Sequence, residues 1–192
     1  MAKKILCFSG SARKDSLNKK LAHLACSYIQ NSGAEAAFID LADFELPLYN
    51  GDLENVSGIP ENAYHLKRLF CEYDGLFIAS PEHNSTYSAL LKNTIDWISR
   101  INENGEAPLS AFLNKVAAIA AVSPAVLGGY RGLIPLRIFL SNIGITVVPH
   151  QLAISDGLNA FNADGSLQNK HYEKLLIQTI DSLLKTTIIR DV

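Results

Sequence analysis

Two runs in this chain are apolar at every position, Gly75-Leu76-Phe77-Ile78-Ala79 and Val116-Ala117-Ala118-Ile119-Ala120-Ala121-Val122. A strand with one face in water alternates apolar and polar residues, so unbroken runs of this kind belong to strands covered on both faces, as in a parallel sheet between helical layers. Further strand-like runs occur at Lys4–Ser9, Ala36–Leu41 and Thr146–Val148, and helical periodicity falls at 16–31, 61–73, 86–102, 131–143 and 169–186. Strand and helix therefore alternate along the chain. The pattern predicts an α/β fold in three layers, α/β/α, built from five βα units around a five-stranded parallel sheet.

At 192 residues, with 48% hydrophobic and 19% charged residues, the chain can enclose one sizeable core, so residues 1–192 are expected to form a single domain. The irregular stretches 42–60 and 155–169 lack the length and bias of interdomain linkers. A formal net charge of −2 provides no basic field for nucleic acid or an anionic membrane surface. No apolar run approaches the ~20 residues that a membrane helix needs, and Met1-Ala2-Lys3-Lys4 leads directly into a strand, so a cytoplasmic location is expected. Cys7, Cys26 and Cys71 are scattered in apolar surroundings, with no C-x-x-C or Cys/His spacing. Buried, reduced thiols and no metal site are expected, Cys71 included.

Right-handed crossovers place every strand-to-helix loop of such a sheet at one edge, and ligands bind there. Three loops qualify. Gly10-Ser11-Ala12-Arg13-Lys14-Asp15-Ser16-Leu17-Asn18 is neither a Walker A nor a G-x-G-x-x-G motif. Ser11, Ser16 and Asn18 can donate to phosphate oxygens, Arg13 supplies charge, and a helix N-terminus adds free amides, which suits a terminal monophosphate. The same residues also fit an ordinary helix start, with Ser16 or Asp15 as the cap and Arg13 in solvent. In the second loop, Pro81 turns the chain out of the ladder and presents the backbone of Glu82, His83 and Asn84 across the cleft. A plain turn capped by Asn84 or Ser85 is the alternative. The third loop, 123–132, carries the pair Gly128-Gly129, suited to backbone approach to a flat ligand.

Taken together, these motifs resemble those of the NADPH-dependent FMN reductase family of flavodoxin-like proteins, which includes chromate, quinone and azo reductases. Gly10-Ser11-x-Arg13-x-x-Ser16-x-Asn18 is similar to the family's flavin-phosphate loop. Pro81-Glu82-His83-Asn84 followed by Leu91-Lys92-Asn93-x-x-Asp96-Trp97-x-Ser99-Arg100 is similar to its flavin-ring loop and following helix. Leu46-Pro47-Leu48-Tyr49-Asn50 and Ser123-Pro124 with Gly128-Gly129 carry the similarity through roughly the first 150 residues. The resemblance implies a flavodoxin-like sheet of order 2-1-3-4-5 and an FMN-dependent oxidoreductase. Such an enzyme takes hydride from NADPH or NADH and reduces quinones, azo compounds, metal oxyanions or free flavin.

Carried over by position, Ser11, Arg13, Ser16, Leu17 (through its amide) and Asn18 would hold the FMN phosphate. Pro81, Glu82, His83 and Asn84 would contact the ring and ribityl chain, and Ser123, Gly128 and Gly129 would border its other side. No catalytic side chain is implied, because the flavin carries the chemistry. The chain departs from the family where His83 replaces the usual tyrosine, and where Thr86-Tyr87-Ser88-Ala89 replaces a stretch with a small turn. His83 is either a simple substitution at a position read through its backbone or a proton donor to substrate. Two other readings are a flavodoxin-type electron carrier, against which the near-balanced charge argues, and a flavin-fold module without catalysis.

The helix 86–102 has two apolar stripes, Leu90/Trp97/Ile101 and Leu91/Ile95/Ile98, about 100° apart. One stripe can cover the sheet. The other predicts either a homodimer or tetramer interface, edged by Lys92, Asp96 and Arg100, or a second contact within the chain. The last helix reads as a packing element.

Overall fold

Successive residues of the first strand go to different cores, and this explains why the strands read as unbroken apolar runs. A computed structural model describes residues 2–103 and 105–188. In β1 (Lys4–Ser9), Ile5 and Cys7 face one helical layer while Leu6 and Phe8 face the other. The same division holds in β3 (Gly75–Ala79) and β4 (Val116–Val122), whose residues are all buried. β2 (Glu35–Ile39) and β5 (Thr146–Ile154) complete the sheet. Among the described residues, all five strands are parallel, in the order β2-β1-β3-β4-β5.

Helices α1 (Leu17–Asn31) and α6 (Lys170–Thr186) cover one face. On the other lie α3 (Glu61–Glu72), α4 (Ala89–Ser99) and α5 (Tyr130–Asn142). A short α2 (Gly51–Ser57) precedes α3. The three-layer α/β/α architecture and the strand order implied by the resemblance are both present. Among the described residues no helix is long and apolar enough to cross a membrane, and there is no cluster of three or more metal-ligating side chains.

Four local expectations need correction. β5 continues past Val148 to Ile154, because the ladder shifts register between Ala117 and Ile119; the resulting irregularity accommodates Pro149, which in sequence marks a strand end. α4 begins at Ala89 under a Ser88 cap, not at residue 86, since residues 83–86 form a tight hairpin. α2, capped by Asn50, lies inside a stretch read as irregular; it buries none of its residues, so it has no apolar stripe to announce it. Cys71 is exposed, whereas Cys7 and Cys26 are buried as expected. Ala63, Leu66 and Phe70 occupy the buried side of α3, and residue 71 lies ~100° further round, in solvent.

The second stripe of α4 has a partner within the chain. Trp97 and Ile101 pack with Ala63 and with Leu46, Tyr49, Leu53, Ile59 and Tyr64. Trp97 Nε1 donates to the Pro47 carbonyl at 2.7 Å, and the Tyr49 ring meets the indole edge-on at 5.1 Å. The polar edge is likewise committed: Lys92 pairs with Asp96, and Arg100 Nε donates to Glu54 Oε2 of α2 at 3.0 Å. The width of the apolar face is thus explained by the segment 44–64, and a subunit interface is not needed to explain it.

Candidate active site

The loops after β1, β3 and β4 meet at the carboxyl edge of the sheet around a cavity of about 280 Å³. Its wall contains Ser11, Arg13, Ser16, Leu17, Asn18, Pro81, Glu82, His83 and Ser123, nine of the twelve residues expected from sequence. Two bonds align the loops: Gly10 N donates to Ala79 O at 3.0 Å, and Ser80 N to Ala120 O at 2.9 Å.

Side chains and backbone divide the work of the first loop. Ser16 is the N-cap of α1 and accepts from Lys19 N, while Ser16 N itself donates to Arg13 O. The amides of Leu17 and Asn18 have no acceptor among the described residues and point out of a helix N-terminus. The Arg13 side chain is exposed and has no partner among the described residues. Asn18 differs from expectation. Its side-chain amide donates to Val122 O and accepts from Val122 N, both at 3.0 Å, so it ties α1 to the end of β4 and leaves only its backbone for a ligand. Ser9 Oγ, one residue before the loop, is the only buried side-chain polar atom without a hydrogen-bond partner among the described residues.

The second loop is a two-residue hairpin. His83 N donates to Thr86 O at 2.9 Å and Thr86 N to His83 O at 3.1 Å, with Asn84 and Ser85 between them at φ 50° and 67°. The His83 amide is therefore occupied, whereas that of Glu82, on the cavity wall, has no acceptor among the described residues. The His83 side chain is exposed, and Asn84 lies beyond the cavity wall. Burial raises the Tyr87 phenol above its ordinary range.

In the third loop the glycine pair has a different task from the one expected. Both residues are buried and lie outside the cavity wall. Gly128 has φ +60°, and a Cβ there would stand 2.5 Å from the Ile154 carbonyl carbon; one on Gly129 would stand 2.7 Å from Ala121 Cβ. The pair lets the loop lie against β4 and β5, and Ser123, Pro124 and Leu158 line the cavity. Leu158, 75% exposed on the turn after β5, was not legible from sequence, because nothing local distinguishes it from a loop residue.

The motif after the second loop serves the scaffold. Asn93 Oδ1 accepts from Tyr49 N at 2.8 Å and its Nδ2 donates to Pro47 O at 2.9 Å, the same carbonyl that Trp97 holds. Hydrogen bonding from Arg100 holds the Glu54 carboxyl below its ordinary range, and the bond to Glu54 pushes the Tyr49 phenol up. Asn93, Trp97 and Arg100 therefore fasten segment 47–54 to α4.

The sequence signature of the NADPH-dependent FMN reductase family spans residues 3–159, which include every loop of this cleft. The chain belongs to that family. It is 31% identical over 182 residues to the NAD(P)H-dependent FMN reductase of Pseudomonas aeruginosa, covering 94% of this chain and 92% of the relative. It is 42% identical over 100 residues to the 2-hydroxy-1,4-benzoquinone reductase of a Burkholderia species, a match that spans 52% of each. Its fold superposes on the flavoenzyme NAD(P)H:(acceptor) oxidoreductase FerB of Paracoccus denitrificans with a TM-score of 0.79 at 28% identity, over 97% of this chain and 100% of that one. Membership of the FMN reductase family makes the protein an oxidoreductase with FMN as cofactor and NAD(P)H as donor.

Proposed function

We propose that the cleft at the carboxyl edge holds FMN with its phosphate at loop 11–18 and its ring against loop 81–84, and serves to reduce small quinone-type acceptors. The observation that carries this reading is that the amides of Leu17 and Asn18 and the Arg13 guanidinium, all on the cavity wall, have no partner among the described residues, a donor set that fits a phosphate dianion. Ser11 adds a hydroxyl. The Glu82 amide would address the ring's polar edge, and Ser123, Pro124 and Leu158 would limit its other side. Bound FMN supplies the hydride-accepting and hydride-donating ring, so the protein's part is to orient it and shape access. His83, exposed at the mouth, is available to lend a proton to an acceptor, though the hairpin fixes its backbone and leaves its imidazole free. The quinone assignment draws on the names of relatives; NADPH or NADH as donor, and the buried thiols Cys7 and Cys26, fit a cytoplasmic setting.

One small cleft must serve donor and acceptor in turn, so initial-rate plots are expected to be parallel. Anaerobic NADPH or NADH should bleach the flavin band of the purified protein, and benzoquinone should restore it. A band unmoved by either nicotinamide would overturn the reading.

Self-association belongs on the outer face of α5. Tyr130, Ile134 and Ile138 recur every fourth residue and are 47%, 49% and 58% exposed, which gives a second copy an apolar stripe close to the cleft. Ile138→Glu is expected to convert the protein to monomer in sedimentation at micromolar concentration; an unchanged mass would remove α5 as the interface.

A further inference from the structure

The ring loop is tied to α5 by groups that the reading above does not use. Gly129, the N-cap of α5, has no side chain to accept from the first turn, and no acidic residue lies in that turn. Glu82 fills the place from another loop. Its Oε1 accepts from Arg131 Nε at 2.9 Å and lies 2.7 Å from Nη2, and its Oε2 accepts from the Gly132 amide at 3.4 Å. The Glu82 side chain is only 10% exposed despite sitting at a cleft mouth. A Cβ on Gly132 would stand 2.9 Å from the Thr86 carbonyl oxygen, so the hairpin backbone rests directly on the helix. Just beyond, the Tyr87 and Phe139 rings stack at 5.0 Å and 15°.

Glu82 is also a residue of the cavity wall. An uncompensated negative charge beside a redox ring disfavours the electron-rich reduced form, and both the Arg131 guanidinium and the positive end of α5 offset that charge.

We propose that Arg131 is a positioning residue: it latches Glu82 to α5, holds the His83–Thr86 hairpin in place, and cancels the Glu82 charge at the edge of the cleft. The charge argument rests on the FMN reading, whereas the latch can be tested without FMN. In FMN-free protein, amide hydrogen exchange at His83 and Thr86 is expected to speed at least tenfold in Arg131→Ala and to stay near wild type in Arg131→Lys, with β1 amides unchanged. Unaltered exchange in Arg131→Ala overturns the latch. In holoprotein, the preference for reduced over oxidised FMN should fall about tenfold in Arg131→Ala, equivalent to ~30 mV for a two-electron couple. Adding Glu82→Gln should restore it, and a double variant as shifted as the single overturns the charge cancellation. If wild type bound no FMN while Arg131→Ala still loosened the hairpin, the latch would stand and the FMN reading would fall.

Discussion

Trp97→Ala is expected to destabilise the protein by about 3–5 kcal/mol, the range for removing a large aromatic side chain from a packed core. The indole is fully buried, anchors the satellite cluster between α4 and segment 44–64, and makes the hydrogen bond to Pro47 O. Removing it leaves a cavity and cuts that carbonyl to the single donor from Asn93. The loss should appear in urea denaturation as a lower midpoint with the slope little changed, and segment 47–54 should become the most readily proteolysed part of the native protein. Trp97→Phe, which keeps most of the volume but loses the donor, should cost far less. A Trp97→Ala variant within 1 kcal/mol of wild type would mean that the segment is not held as described.

Arg13→Ala should leave folding stability unchanged within ~0.5 kcal/mol, because the side chain is exposed and has no partner among the described residues. FMN affinity should fall roughly 30-fold, since a charge-assisted hydrogen bond to phosphate is worth about 2 kcal/mol. The two readouts separate a ligand-binding arginine from a scaffold one. Arg13→Lys should recover part of the loss, as the charge remains and the fork does not. Full FMN affinity in Arg13→Ala would remove the guanidinium from the site.

Period and position made the sheet and the three loops legible in sequence. A buried parallel strand has to be apolar on both sides, and crossover handedness then sends its loops to one edge. What sequence did not reveal is which groups each residue bonds. Asn18 looks like a phosphate donor in its loop, yet its partner is the backbone of Val122 on a strand remote in the chain. Gly128 and Gly129 read as an opening for a ligand, but their conformation and close contacts answer to Ile154 and Ala121. The wide apolar face of α4 is a similar case: an amphipathic stripe shows that a partner is required, and says nothing about whether it is a second subunit or the segment around Tyr49. α2 and the extension of β5 escaped notice for opposite reasons, the first having no buried residues and the second containing a proline that an irregular ladder tolerates.

The central claim is that a phosphate at the start of α1 anchors the cofactor, and calorimetric titration of FMN-free protein with FMN and with riboflavin tests it most directly. The two ligands share the ring and ribityl chain and differ only at the phosphate. FMN should bind at least ~100-fold tighter, reflecting one charge-assisted contact from Arg13 and the helix amides of Leu17 and Asn18. Equal affinities would show that loop 11–18 does not hold the phosphate and would contradict the account.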